Sequence, residues 1–98
     1  MLTEKQIKKR LTEVMDPELN ISIIDMGLVY RIEIKDGQVD IDLTLTSPVC
    51  PLAPMIKDEV LNKLKEIGVK KPRVKLVFDP PWSPDKMTKK GRQLLGIE

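Results

Sequence analysis

Between Leu28 and Leu45 the chain alternates apolar and polar residues on both sides of an Asp36-Gly37 dipeptide, and few folds accept that pattern. Leu28, Tyr30, Ile32 and Ile34 fall on one face, with Val29, Arg31, Glu33 and Lys35 on the other. Val39, Ile41, Leu43 and Leu45 then alternate with Asp40, Asp42, Thr44 and Thr46. A period of two belongs to half-buried strands, and Asp-Gly accepts the positive φ angles of a tight hairpin turn. Two antiparallel strands are expected, each with one apolar face that another layer must cover.

Amphipathic helices on either side supply that layer. Thr3 and Gln6 form a capping box, with Leu2 and Ile7 at the positions of a hydrophobic staple. Ile7, Leu11 and Val14 follow at helical spacing, and Pro17 pushes Asp16 out of the α region, so the first helix should stop near Met15. Ile56, Val60, Leu61, Leu64 and Ile67 mark a second helix, ended by Gly68 as a left-handed cap with Val69 able to touch Leu64. Val74, Leu76 and Phe78 predict a third strand, closed by Asp79-Pro80-Pro81. Ser83 as N-cap and Pro84 at the first helical position open a short C-terminal helix through Met87, Leu94 and Leu95, in which Gly91 should cost about 1 kcal/mol relative to alanine. The order αββαβ predicts an α+β fold: a two-layer sandwich with a three-stranded sheet, two helices on one face and a short C-terminal helix.

The 98 residues, 41% of them hydrophobic, suffice for one domain spanning 1–98. Seventeen Lys and Arg against 15 Asp and Glu leave a net charge of +2 with the signs interleaved, which demands neither nucleic acid nor membrane. The basic clusters Lys86, Lys89, Lys90, Arg92 and Lys70, Lys71, Arg73 lack interleaved aromatics and read as solvated surface. No run approaches the roughly 18 apolar residues of a membrane helix, and Met1 to Arg10 has no signal-peptide stretch, so a cytoplasmic location is expected. Trp82, the lone tryptophan, either marks a partner surface or pins the tail to the core, and pinning is the reading adopted.

The chain has no histidine and a single cysteine, Cys50. Ser-His and Cys-His catalysis, His-ligated metals and an intrachain disulfide are therefore excluded for an isolated chain. Two segments exceed what solvation explains. Asp16 to Gly27 is long for a connection in a compact domain and is either functional or a turn anchored by Ile21, Ile23 and Ile24. Thr46-Ser47-Pro48-Val49-Cys50-Pro51-Leu52-Ala53-Pro54 frames Cys50 with prolines at a strand-to-helix junction. If Pro51 opens the helix, Cys50 is its N-cap and the dipole stabilises a thiolate. If Pro54 opens it, the effect fades, and Cys50 can equally be a small buried hydrophobe. Asp25 ends the segment before the first strand and Cys50 follows the end of its antiparallel partner, so both should lie at the same end of the sheet.

Taken together, Asp16-Pro17-Glu18, Ile24-Asp25-Met26-Gly27-Leu28-Val29, Thr46-Ser47-Pro48-Val49-Cys50-Pro51, Pro80-Pro81-Trp82-Ser83-Pro84 and the terminal Leu95-Gly96-Ile97 closely resemble the metal-sulfur cluster biosynthetic family that includes SufT and PaaD. The resemblance covers nearly the whole chain. It implies an iron-sulfur cluster assembly or metalloprotein maturation factor, a carrier or adaptor rather than an enzyme. Cys50 matches the family's reactive cysteine, Asp25 the acidic residue near it with Thr46 alongside, and Asp16 and Glu18 its acidic turn. The implied cargo is an iron-sulfur cluster or iron, held transiently by Cys50 or between subunits. The implied partners are a P-loop scaffold ATPase or client apoproteins, with a homodimer as another way to complete the ligands. Clusters generally need four thiolate or imidazole ligands, of which one chain supplies one. A thiol-based redox or sulfur-transfer protein would use the same Cys50 but lacks a resolving cysteine. A KH-like RNA-binding module would need a GxxG clamp that this sequence lacks.

Overall fold

The computed structural model describes residues 3–16, 19–46 and 53–96. In chain order the elements are α1 (Glu4–Leu11), β1 (Met15–Asp16), β2 (Ile21–Ser22), β3 (Val29–Lys35), β4 (Gln38–Leu43), α2 (Ala53–Glu66), β5 (Lys71–Leu76), a 3-10 turn (Pro84–Lys86) and α3 (Lys89–Leu95). The main sheet has the order β3-β4-β5, with β3 antiparallel and β5 parallel to β4. The return from β4 to a parallel β5 runs through α2, since parallel neighbours need a crossover and cannot be joined by a tight turn.

The expected hairpin forms with Asp36 and Gly37 at φ 51° and 80°, which pairs Lys35 with Gln38 and Ile34 with Val39. Val39, Ile41 and Leu43 are buried, and Ile7 and Leu11 of α1 and Ile56, Val60 and Leu64 of α2 join them in one core. Each large aliphatic side chain buried there contributes roughly 1.5–3 kcal/mol. The opposite face is a charged lattice in which Arg31 aligns with Asp42 and Lys75, and Glu33 with Asp40 and Arg73. That separation of faces makes the sandwich two layers deep rather than three.

Local departures from the sequence reading have identifiable causes. The Thr3–Gln6 capping box is present, while Leu2 of the staple lies outside the described residues. α1 stops at Leu11 rather than near Met15, because Val14 N donates to Leu11 O in a tightened last turn and Met15 pairs with Ser22. The segment after Asp16 is thus a small β1-β2 hairpin followed by turns, with Ile21 and Ile23 in the core as anchors. A bulge between Val29 and Arg31 reverses the phase of β3, so Val29 packs on the core and Tyr30 reaches outward to donate its hydroxyl to Pro80 O at 3.0 Å. Thr44, expected on the polar face, is fully buried, and β5 ends at Leu76, leaving Phe78 39% exposed.

α2 ends as expected: Val69 N donates to Leu64 O at 3.0 Å and Gly68 N to Lys65 O at 3.1 Å, a Schellman pair around Gly68 at φ 95°. The tail differs. Ser83 precedes only the 3-10 turn and makes no side-chain cap hydrogen bond, whereas α3 is capped by Thr88, whose hydroxyl accepts from Gly91 N. A methyl group at Gly91 would run into the carbonyl oxygen of Asp25, so glycine there is a requirement of packing and not merely a weak helix former.

Candidate functional site

One end of the main sheet gathers three parts of the chain. Thr44 N donates to Leu28 O at 2.7 Å, and Leu28 N donates to Ile23 O at 3.0 Å, so residues 23–27 and 44–46 leave the sheet side by side. Val77 N donates to Leu43 O at 2.9 Å, bringing the chain after β5 to the same end. Leu45 is buried and Thr46 exposed, while the hydroxyl of Thr44 is buried with no hydrogen-bond partner among the described residues. Cys50 and Glu18 lie outside the described residues, as does most of the proline-framed segment.

Asp25 is half-buried and held by the tail. Thr88 donates its hydroxyl to Asp25 Oδ1 at 2.8 Å and its backbone N–H to Asp25 O at 3.0 Å. The next residues are fastened too: Trp82 Nε1 donates to Met26 O at 2.6 Å, and Gly27, at φ 74°, lies so close to Lys86 O that no side chain would fit. Trp82 therefore pins the tail to the core, as its setting suggested. Thr88 was missed from sequence. The available signal was the residue type alone, a threonine directly before Lys89 to Leu95, since threonine is among the preferred N-caps.

Asp16 has a different setting. It is 8% exposed, its Oδ1 accepts from Leu19 N at 3.3 Å, and its carbonyl accepts from Asn20 N at 2.7 Å, which turns the β1-β2 connection through Asn20 at φ 56°. Asp25 instead lines a shallow cleft of about 340 Å³ with Met15, Ile21, Lys90 and Leu94. A wider cleft of about 520 Å³ on the sheet carries Arg31 and Arg73, but these are paired with Asp42 and Asp40 at 3.0 and 3.8 Å.

The donor set decides what such a site can hold. Among the described residues no three His, Cys, Asp or Glu side chains converge to hold a metal ion, and the chain has one thiol and no imidazole. A resident four-ligand cluster on a single chain does not fit these residues. Fold and composition together define a small two-layer α+β domain whose chain carries a single thiol.

Residues 4–82 match the family described as iron-sulfur cluster assembly protein. The chain belongs to that family. It is 43% identical over 97 residues to the Fe-S protein maturation auxiliary factor YitW of Bacillus subtilis, covering 97% of this chain and 95% of that one. It is 42% identical over 86 residues to the Fe-S protein maturation auxiliary factor SufT of Staphylococcus aureus, covering 86% of this chain and 98% of that one. The fold matches a crystallised domain of unknown function from Bacillus anthracis with a TM-score of 0.90 and 34% identity, over 97% of this chain and 92% of that one. Among the described residues no helix is long and apolar enough to cross a membrane.

Proposed function

We propose that this protein is a carrier or adaptor in iron-sulfur cluster assembly that works through the Cys50 thiolate, with Asp25 and Thr46 flanking the same site. Its role lies in iron-sulfur assembly or protein maturation, as its family and the maturation factors among its relatives support. The carrier reading follows from the donor set, because a chain with one thiol can hand over a cluster but cannot enclose it. The cluster is cargo, ligated by Cys50 together with thiolates from a second copy, a P-loop scaffold ATPase or a client apoprotein. Asp16 and Glu18 are assigned to the acidic turn of the family.

One observation supports the grouping of Asp25 and Thr46 most directly. The Thr44–Leu28 hydrogen bond of 2.7 Å sets the exits of the two loops next to each other. The test is complementation of cells whose own copy is deleted, read as iron-sulfur enzyme activity in extracts. Cys50→Ser and Asp25→Ala should accumulate as folded protein and fail to restore activity. Restoration by Cys50→Ser would remove the thiol from the mechanism, and restoration by Asp25→Ala would leave Asp25 a structural anchor.

A further inference from the structure

The contacts between the tail and the loop before β3 are concentrated on three successive residues. Asp25, Met26 and Gly27 are met by Thr88, Trp82 and Lys86 respectively. Of these three contacts, the one at Asp25 is the one that reaches a charged side chain. The Thr88 hydroxyl has one proton and two acceptor lone pairs. It accepts from Gly91 N at 3.1 Å and so has its proton to give to Asp25 Oδ1. The same hydroxyl thus caps α3 and fixes the carboxylate, while the close approach of Gly91 to Asp25 O sets the distance between the two segments. Oδ2 of Asp25 has no hydrogen-bond partner among the described residues. Thr88 also lies beyond residues 4–82, where the family match ends.

We propose that Thr88 is a positioning residue for Asp25: it holds one carboxylate oxygen through the C-terminal strap and leaves the other for cargo or client. The inference rests on the functional reading of Asp25 given above. A plain N-cap would need only an acceptor at this position, which Asn and Asp both provide about equally well. Positioning needs a donor as well, which Asn has and ionised Asp lacks.

The isosteric pair Thr88→Asn and Thr88→Asp separates these roles, with Thr88→Ser as the conservative variant. Each is assayed by the complementation described above and by the carboxyl carbon resonance of Asp25 in the labelled protein. Thr88→Ser and Thr88→Asn should retain activity, whereas Thr88→Asp should lose about 10- to 100-fold, the usual effect of removing a partner that orients a functional group. The Asp25 resonance should move only in Thr88→Asp. Adding Asp25→Asn to Thr88→Asp restores a donor–acceptor pair across the strap without restoring the carboxylate at its own position. Activity should then stay low, and its recovery would mean that docking of the tail alone is required. Equal activity of Thr88→Asn and Thr88→Asp, or equal loss in both, overturns the proposal. Full activity of Asp25→Asn alone contradicts the functional reading of Asp25 instead, and the resonance still decides whether Thr88 fixes the carboxylate.

Discussion

At Gly91 two residue-level effects oppose each other. Alanine in place of glycine inside a helix gains about 1 kcal/mol in propensity. Here the added methyl would strike Asp25 O and press on the Met87 side chain, and overpacking of that kind costs typically 1–3 kcal/mol. Gly91→Ala is therefore expected to be destabilising, by up to about 2 kcal/mol net. Urea unfolding checks this through a lower midpoint at unchanged slope, and a midpoint above that of the parent chain would contradict it. The helical setting of Gly91 was legible in the sequence, but the approach of Asp25 was not, because contacts between distant segments leave no local pattern. Tyr30 and Val29 illustrate the same limit. Alternation put Tyr30 on the apolar face and Val29 on the polar one, and a bulge invisible to a period-two count exchanges them.

Among elements, α1 is too short to be stable by itself, since isolated helices under about 12–15 residues are marginal in water. Ile7 and Leu11 bury it, and a charged clamp ties it to α2. Arg10 Nη2 meets Glu66 Oε1 at 2.5 Å and Nη1 meets Glu13 Oε2 at 3.1 Å, while Lys63 Nζ reaches Glu13 Oε1 at 3.4 Å. The hydrogen bond to Glu66, followed by the charge of Glu13, raises the pKa of the guanidinium above its already strongly basic value. A cation with a raised folded-state pKa contributes its stability below the unfolded value and loses it only as pH climbs through the folded one. The clamp should therefore be indifferent to pH between about 7 and 10 and sensitive to salt. In a double-mutant cycle, Arg10→Gln and Glu66→Gln should couple favourably at low ionic strength, with the coupling reduced in about 1 M salt. Zero coupling at low salt, or coupling that falls between those pH values, would contradict the clamp.

Helix starts marked by side-chain caps and stops marked by glycine were readable at this scale, as Thr3 and Gly68 show. The β1-β2 ladder was not, because two residues are too few to establish a period. Nor was the strand order: local patterning says that β5 is a strand, while its parallel pairing with β4 depends on how α2 packs. The second capping threonine was hidden behind Ser83-Pro84, a stronger start signal that opens only a 3-10 turn.

At the scale of the whole molecule, the proposed site is an end of the sheet to which three remote segments contribute. The hairpin argument set Asp25 and Cys50 at one end of the sheet from sequence, because antiparallel pairing ties the start of one strand to the finish of the next, and Cys50 lies outside the described residues. The strap from Trp82 to Gly91 was legible only as a pinned tail, and its hydrogen bond to the carboxylate required coordinates. Cys50 is the chain's sole thiol, so any cluster this protein carried would have to be shared. That arithmetic is open to direct measurement by anaerobic reconstitution with iron and sulfide, followed by native mass spectrometry of the intact species. The expected result is at most about one cluster per two chains, lost in Cys50→Ser. A stable cluster on a monomer, or a cluster retained in Cys50→Ser, would contradict the carrier mechanism at its root.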